Sequence, residues 1–391
     1  MCIPVDINKF SLHSIYQNRL IRAFIGASRH NRNPNLFTGF DENDNLKMHT
    51  LRCRHKCRYE NSCEYRKDKL FHVVNIALNL VKGDNPAWQE RKAASFTITP
   101  LFSGCSNIPS VGYRNSEKYG GEDGISLGTA ITVSGAAVSP NMGYHSSPVL
   151  SFLLTLFNIR LGLWMGNPAD DTTFKKQGPI LSLRPIISEA FGLTNEKKPY
   201  VYLSDGGHFE NLGLYEMILR RCHFIVLVDA GCDEDHTFGD LGNALRKIRI
   251  DLGVPIVFKN IAIYPRKDER EDGKHCAIGN ILYSKVDEKD TDGKLIYIKP
   301  TLCGDELIDI GSYAKANPEF PHESTGDQWF TESQFESYRA LGSHAIYQIC
   351  ENTKTLTNLK DLFEQAEKYA IVSPKSPTEN TTRVVITTSK T

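Results

Sequence analysis

A carboxylate followed by two glycines is the clearest prospect of chemistry in this chain. In Tyr200–Arg221 (YVYLSDGGHFENLGLYEMILRR) an apolar run ends at Ser204 and Asp205, and Gly206, Gly207 and His208 follow. An apolar pattern of helical spacing begins after Asn211. A carboxylate at a strand end can be partly desolvated and held by backbone N–H groups, which suits it to take a proton from a hydroxyl. Glycine allows substrate or backbone to approach closely. The same letters also spell an ordinary strand-to-helix turn, because Asp-Gly is first of all a turn signal. His208 is a rival base for a serine; its plainer role is a loop histidine hydrogen-bonded to backbone. Asn211 is placed to cap the following helix. Asp229 ends the next apolar run and reads as a second carboxylate at the same sheet edge.

Other residues compete less well. Gly124-Ile125-Ser126-Leu127-Gly128 matches GxSxG literally. A nucleophile elbow, however, needs a buried strand before its serine, and YRNSEKYGGEDG is polar and glycine-rich. Ser126 and Ser134 therefore read as packing positions. Cys53, Cys57 and Cys63, with His49 and His55 between and before them, offer thiols and imidazoles, yet the spacings of four and six are not those of a zinc knuckle. A basic loop is the simpler reading, and neither metal nor cofactor is assigned. No Walker or dinucleotide-binding pattern is present, so a nucleotide site is not expected.

The segments SLGTAITVSGAAVSPNMGYHSSP (126–148), LSDGGHFENLGLYEMILRRC (203–222), DLGNALRKIRIDLGV (240–254) and FPHESTGDQWFTESQFESYRALG (320–342) resemble a bacterial branch of the patatin-like phospholipases. The resemblance spans most of residues 1–345. It implies an α/β sandwich and hydrolysis of lipid acyl esters by a Ser–Asp dyad without histidine. Asp205 matches the dyad aspartate, and Gly206 and Gly207 its turn. The loop bearing Asn141 and His145 falls near the substrate in that family, so these two and His208 are candidates for substrate contact. The family's GGGxR-like oxyanion loop and its nucleophile lie upstream of all the matched segments. The chain is accordingly read as a C-terminal portion lacking the serine, inactive by itself. The alternative is an inactive fragment or pseudoenzyme that binds lipid or a protein partner.

Composition sets outer limits. Lys plus Arg equals Asp plus Glu at 46 each in 391 residues, so no global field draws nucleic acid or an anionic membrane. Residues 1–10 carry no secretory pattern, and the scattered cysteines suit a reducing compartment. The expected location is cytoplasmic or peripheral to the inner face of a membrane. Val149–Met165, interrupted by Asn158 and Arg160, is too short and too charged to span a bilayer. It reads as one helix whose apolar surface suits an interfacial lipid enzyme.

Periodicity then supplies the elements that would position Asp205. Helical spacing runs through 7–30, with Ser11 a cap and Gly26 near the end. Phe71–Leu80 is strand or helix, Ser95–Thr99 a strand, and Ser126–Ser139 a helix of small residues that packs closely. From Tyr200 the order is strand, helix (211–221), strand (223–229), helix (238–252), strand (254–258), which predicts a mostly parallel sheet flanked by helices. A charged hairpin joins 277–283 to 294–299. Short helices follow at 334–342 and 358–369. The expected organisation is one α/β domain over 1–370, incomplete at its N-terminal side, with a polar insertion at 31–69 and a disordered tail at 371–391.

Overall fold

The computed structural model describes residues 6–9, 11–52, 70–82, 90–140, 142, 148–268, 272–288, 291–324, 330–350 and 356–371. The chain is an α/β protein that divides into two compact units, Met1–Met217 and Ile218–Thr391.

The first unit opens with helix α1 (Leu12–Leu20), continued by a π-helical turn over Ile21–Gly26. Strands β1 (Val74–Asn79), β2 (Ala93–Ile98), β3 (Phe102–Gly104) and β4 (Tyr113–Asn115) precede helices α2 (Leu127–Ser134) and α3 (Pro148–Leu156). Strand β5 (Leu163–Gly166), helix α4 (Leu183–Ala190), strand β6 (Tyr200–Asp205) and helix α5 (Leu214–Leu219) follow. The sheet order is β4-β3-β2-β1-β6-β5, and every neighbouring pair is antiparallel. Ile76, Leu78, Phe96, Val201 and Leu203 are fully buried in one cluster with Met48 and Val133. Each such side chain contributes about 1.5–3 kcal/mol by leaving water.

The second unit holds strand β7 (Phe224–Val228), helix α6 (Gly239–Leu252), strands β8 (Ile256–Phe258), β9 (Cys276–Ile281) and β10 (Gly293–Ile298), then helices α7 (Ile308–Ala316), α8 (Glu332–Cys350) and α9 (Leu359–Tyr369). Its sheet order is β7-β10-β9-β8. Only the β7–β10 pair is parallel.

The expectation of a mostly parallel sheet is corrected by this pairing. Strand β6 does not continue into the sheet of β7 and β8; it lies between β1 and β5, antiparallel to both. Strands β7 and β8, joined through α6, do run in one direction, but the antiparallel hairpin β9–β10 is inserted between them. A strand–helix–strand pattern fixes direction and leaves adjacency open. The charged hairpin itself is present in the expected place.

A second correction concerns Val149–Met165, which is not one helix. Chain reversal occurs at Asn158, left-handed at φ +56°. The Ile159 N–H bonds to Leu154 O at 2.8 Å and the Asn158 N–H to Thr155 O at 3.1 Å. This pair of bonds closes α3 as a Schellman motif, and the remaining apolar residues form β5. Apolar content alone cannot separate a buried strand from a helix.

The described part of the polar insertion is anchored. Asp44, fully buried, accepts from Arg29 at 2.7 Å and Arg32 at 2.6 Å. Cys53, Cys57, Cys63, His55 and the tail from residue 372 lie outside the described residues. No helix of the described residues is long and apolar enough to cross a membrane.

Candidate active site

Strand β6 carries Asp205 to its carboxyl end, where Asp205 faces Ile76 of β1. The chain then tightens into a single 3-10 turn over Gly206–His208, and Asp205 is the residue that caps it. Its Oδ1 accepts the Gly207 N–H at 2.7 Å. No described residue donates to Oδ2, and no described serine hydroxyl reaches the carboxylate. Burial pushes the Asp205 carboxyl above the ordinary aspartate range, opposed by the Gly207 N–H. The result is a desolvated base with one oxygen fixed and no donor on the other among the described residues.

The two glycines are required by close approach. A Cβ on Gly206 would lie 2.8 Å from the backbone oxygen of Asn75, and one on Gly207 would lie 2.9 Å from Asn211 Oδ1 and 3.1 Å from Asp205 Oδ1. The Glu210 carboxylate accepts from the N–H groups of Leu212 at 2.5 Å and Tyr215 at 3.1 Å, which secures the entry to α5.

His208 occupies the plainer of its two expected roles. Its Nε2 meets Ala137 O at 3.1 Å and its Nδ1 meets Ser204 Oγ at 2.7 Å. A carbonyl can only accept, so the ring proton sits on Nε2 and Ser204 donates to Nδ1. Ser204 Oγ in turn accepts from Asn79 Nδ2 at 2.7 Å. Ser204 is fully buried, so this Ser–His pair braces the turn from beneath.

Two neighbours were not legible in the sequence. Asn75, one residue before Ile76, receives the Ser134 hydroxyl on its backbone oxygen at 2.7 Å, and its side-chain Oδ1 is buried without a partner among the described residues. Tyr16 of α1 is close enough that the Asp205 charge helps burial raise its phenol. Neither lies in a motif; each reaches the site only through packing of distant segments.

The remaining candidates fall elsewhere. Ser126 caps α2, its Oγ accepting the Thr129 N–H at 3.0 Å, which agrees with a packing role. Gly128 of that helix lets Ile21 and Asn45 approach to where a Cβ would sit, within 2.7 Å. Asn141 and His145 lie outside the described residues. Asp229 is not at the sheet edge of Asp205, because it follows β7 in the other sheet. There it accepts from Tyr297 at 2.6 Å and Lys299 at 3.3 Å.

Apolar side chains are exposed on the first unit. Helix α3 presents Val149, Phe152 and Leu156, and α4 presents Leu183 and Ile187. A cleft of about 400 Å³ is lined by Phe152, Leu156, Ile186 and Ala190, with Arg160 at its base. Arg160 is itself buried and paired with Glu189, whose other oxygen accepts from Trp164 Nε1 at 2.7 Å. No protein-family model matches the chain, and no curated protein does.

Proposed function

We propose that this chain carries the base of a Ser–Asp dyad in a patatin-like lipid acyl hydrolase, with Asp205 in that role. The carrying observation is the Asp205 carboxylate: desolvated at a strand end, one oxygen on the Gly207 N–H and the other without a donor among the described residues. Such a group can remove the proton of a serine hydroxyl as it attacks an acyl ester, and return it to the leaving alkoxide. Water then opens the acyl-enzyme by the same route. The serine comes from outside the described residues. The exposed apolar faces of α3 and α4 support an acyl-lipid substrate presented at a membrane surface.

A second reading, a non-catalytic protein that binds lipid or a partner, is favoured by the lack of any serine hydroxyl at Asp205 among the described residues. A fluorophosphonate probe and a short-chain ester separate the two. Covalent labelling at one serine, with ester turnover abolished by Asp205→Ala, is the expected result for the hydrolase. Absence of labelling in the full chain supports the second reading, and turnover that survives Asp205→Ala removes Asp205 from the mechanism.

A further inference from the structure

Three potential metal ligands converge in the second unit, far in sequence from Asp205. His275 immediately precedes β9, Asp305 lies in the loop before α7, and His344 projects from the middle of α8. Asp305 Oδ1 is 3.1 Å from His344 Nε2 and 3.8 Å from His275 Nε2, and one ligand atom from each residue falls within a 4.8 Å group. His275 is fully buried, and its Nε2 has no hydrogen-bond partner among the described residues. A buried ring nitrogen left unpaired is costly, and this one is aimed at the carboxylate.

We propose that His275, Asp305 and His344 form a binding site for a divalent transition-metal ion, zinc foremost. Zinc bonds imidazole nitrogen and carboxylate oxygen at about 2.0–2.2 Å, which sets tetrahedral ligand separations of about 3.3 Å. The two measured separations bracket that value. Ligation through Nε2 puts each ring proton on Nδ1, and the Nδ1 of His275 has Cys303 Sγ at 3.9 Å as its neighbour. A second contact of this kind orients a ligating imidazole. The Asp305 loop is already folded, because the Glu306 carboxylate accepts the N–H groups of Cys303 at 2.5 Å and Gly304 at 3.1 Å. Lys274, next to His275 in the chain, has its ammonium over the Tyr369 ring, 4.8 Å from the centroid. The Asp305 side chain is 46% exposed and gives the ion a route from solvent. Two nitrogens and one oxygen favour zinc or a neighbouring transition ion over calcium or magnesium, which take oxygen. Three protein ligands leave a coordination position for water or another small donor.

The test is a zinc titration of the chelator-treated full chain, followed by calorimetry and by thermal unfolding with and without zinc. Because Cys53, Cys57 and Cys63 are independent thiol donors, the titration is repeated with all three changed to Ser. One equivalent should persist in that background and should raise the unfolding temperature. Asp305→Asn, at an exposed side chain, should weaken it about 100-fold or more, as should His344→Gln. Cobalt(II) in place of zinc should give a ligand-field spectrum without a thiolate charge-transfer band. No zinc bound by the full chain, loss of all zinc with the three cysteines, or affinity unchanged by Asp305→Asn would overturn the proposal. None of these readouts depends on ester hydrolysis.

Discussion

Ser204 and His208 share a 2.7 Å hydrogen bond beneath the turn that presents Asp205. Since His208 Nε2 is committed to Ala137 O, the imidazole cannot serve as base for a second hydroxyl without breaking that brace. The relationship divides the segment into a support, Ser204 with His208, and a reactive group, Asp205.

Ser204→Ala should therefore be a stability change. It takes the Ser204 hydroxyl away from His208 Nδ1 and from Asn79 Nδ2, which keeps Tyr202 O at 3.4 Å, at a cost of about 1–3 kcal/mol. Urea unfolding would read the loss, and fluorophosphonate labelling of the folded protein should persist. Labelling that disappears in folded Ser204→Ala would make Ser204 the nucleophile instead.

Asp205→Asn should uncouple stability from activity. Burial raises the Asp205 pKa above its unfolded value, so the protonated group favours folding at low pH. That contribution is lost as pH rises through the raised pKa, leaving the ionised carboxylate as a burden at neutral pH. The neutral amide should raise the unfolding temperature at pH 7 and abolish ester turnover. In the parent, the acidic limb of the rate profile should lie above the ordinary aspartate range. An amide variant that is less stable at pH 7 would contradict the desolvation argument.

Alanine substitutions at the two glycines should differ in severity. At Gly206 the new methyl meets backbone, the Asn75 oxygen, which cannot move without disturbing β1; at Gly207 it meets the side chain of Asn211. Both are overpacked, with costs of about 1–3 kcal/mol, and Gly206→Ala should be the worse. Equal unfolding midpoints would show that β1 yields as readily as a side chain.

His236 and His322 place their Nε2 atoms 2.9 Å apart, so one donates and the other accepts. Burial, with His236 and Lys299 adding repulsion, pushes His322 down to about 4, and burial lowers His236 as well. Asp233 and Asp268 pull the other way at His236 without prevailing. The unfolded chain binds protons first as pH falls, so stability should drop from pH 6.5 toward 4. His322→Gln should flatten that slope in urea titrations. An unchanged slope would mean that other groups carry the acid sensitivity.

Removing one partner of the buried Arg160–Glu189 pair should cost about 3–5 kcal/mol, because the other charge is left buried. Glu189→Ala also strands the Trp164 N–H. A loss below 1 kcal/mol in chemical unfolding would show that water reaches Arg160.

Much of the secondary structure near Asp205 was legible because periodicity and turn chemistry are local. The run Tyr200–Leu203 became β6, and Asp205 with its glycines became a tight turn. The partners of β6 were not legible, since β1 and β5 come from residues far upstream and pair by shared burial. For the same reason Asn75 and Tyr16 gave no signal. The break of Val149–Met165 at Asn158 was hidden because an asparagine in a left-handed turn leaves no mark on hydropathy. His275, Asp305 and His344 are separated by 30 and 39 residues along the chain, beyond any spacing rule for metal motifs.

The hairpin inserted into the second sheet has a consequence during synthesis. Strand β7 is synthesised before its partner β10, and β8 before its partner β9. About 70 residues separate the end of β7 from the end of β10, which at 5–20 residues per second is a delay of about 3.5–14 s. Throughout that interval FIVLV of β7 has open backbone groups on both sides. A nascent chain stalled there is the form most in need of a chaperone.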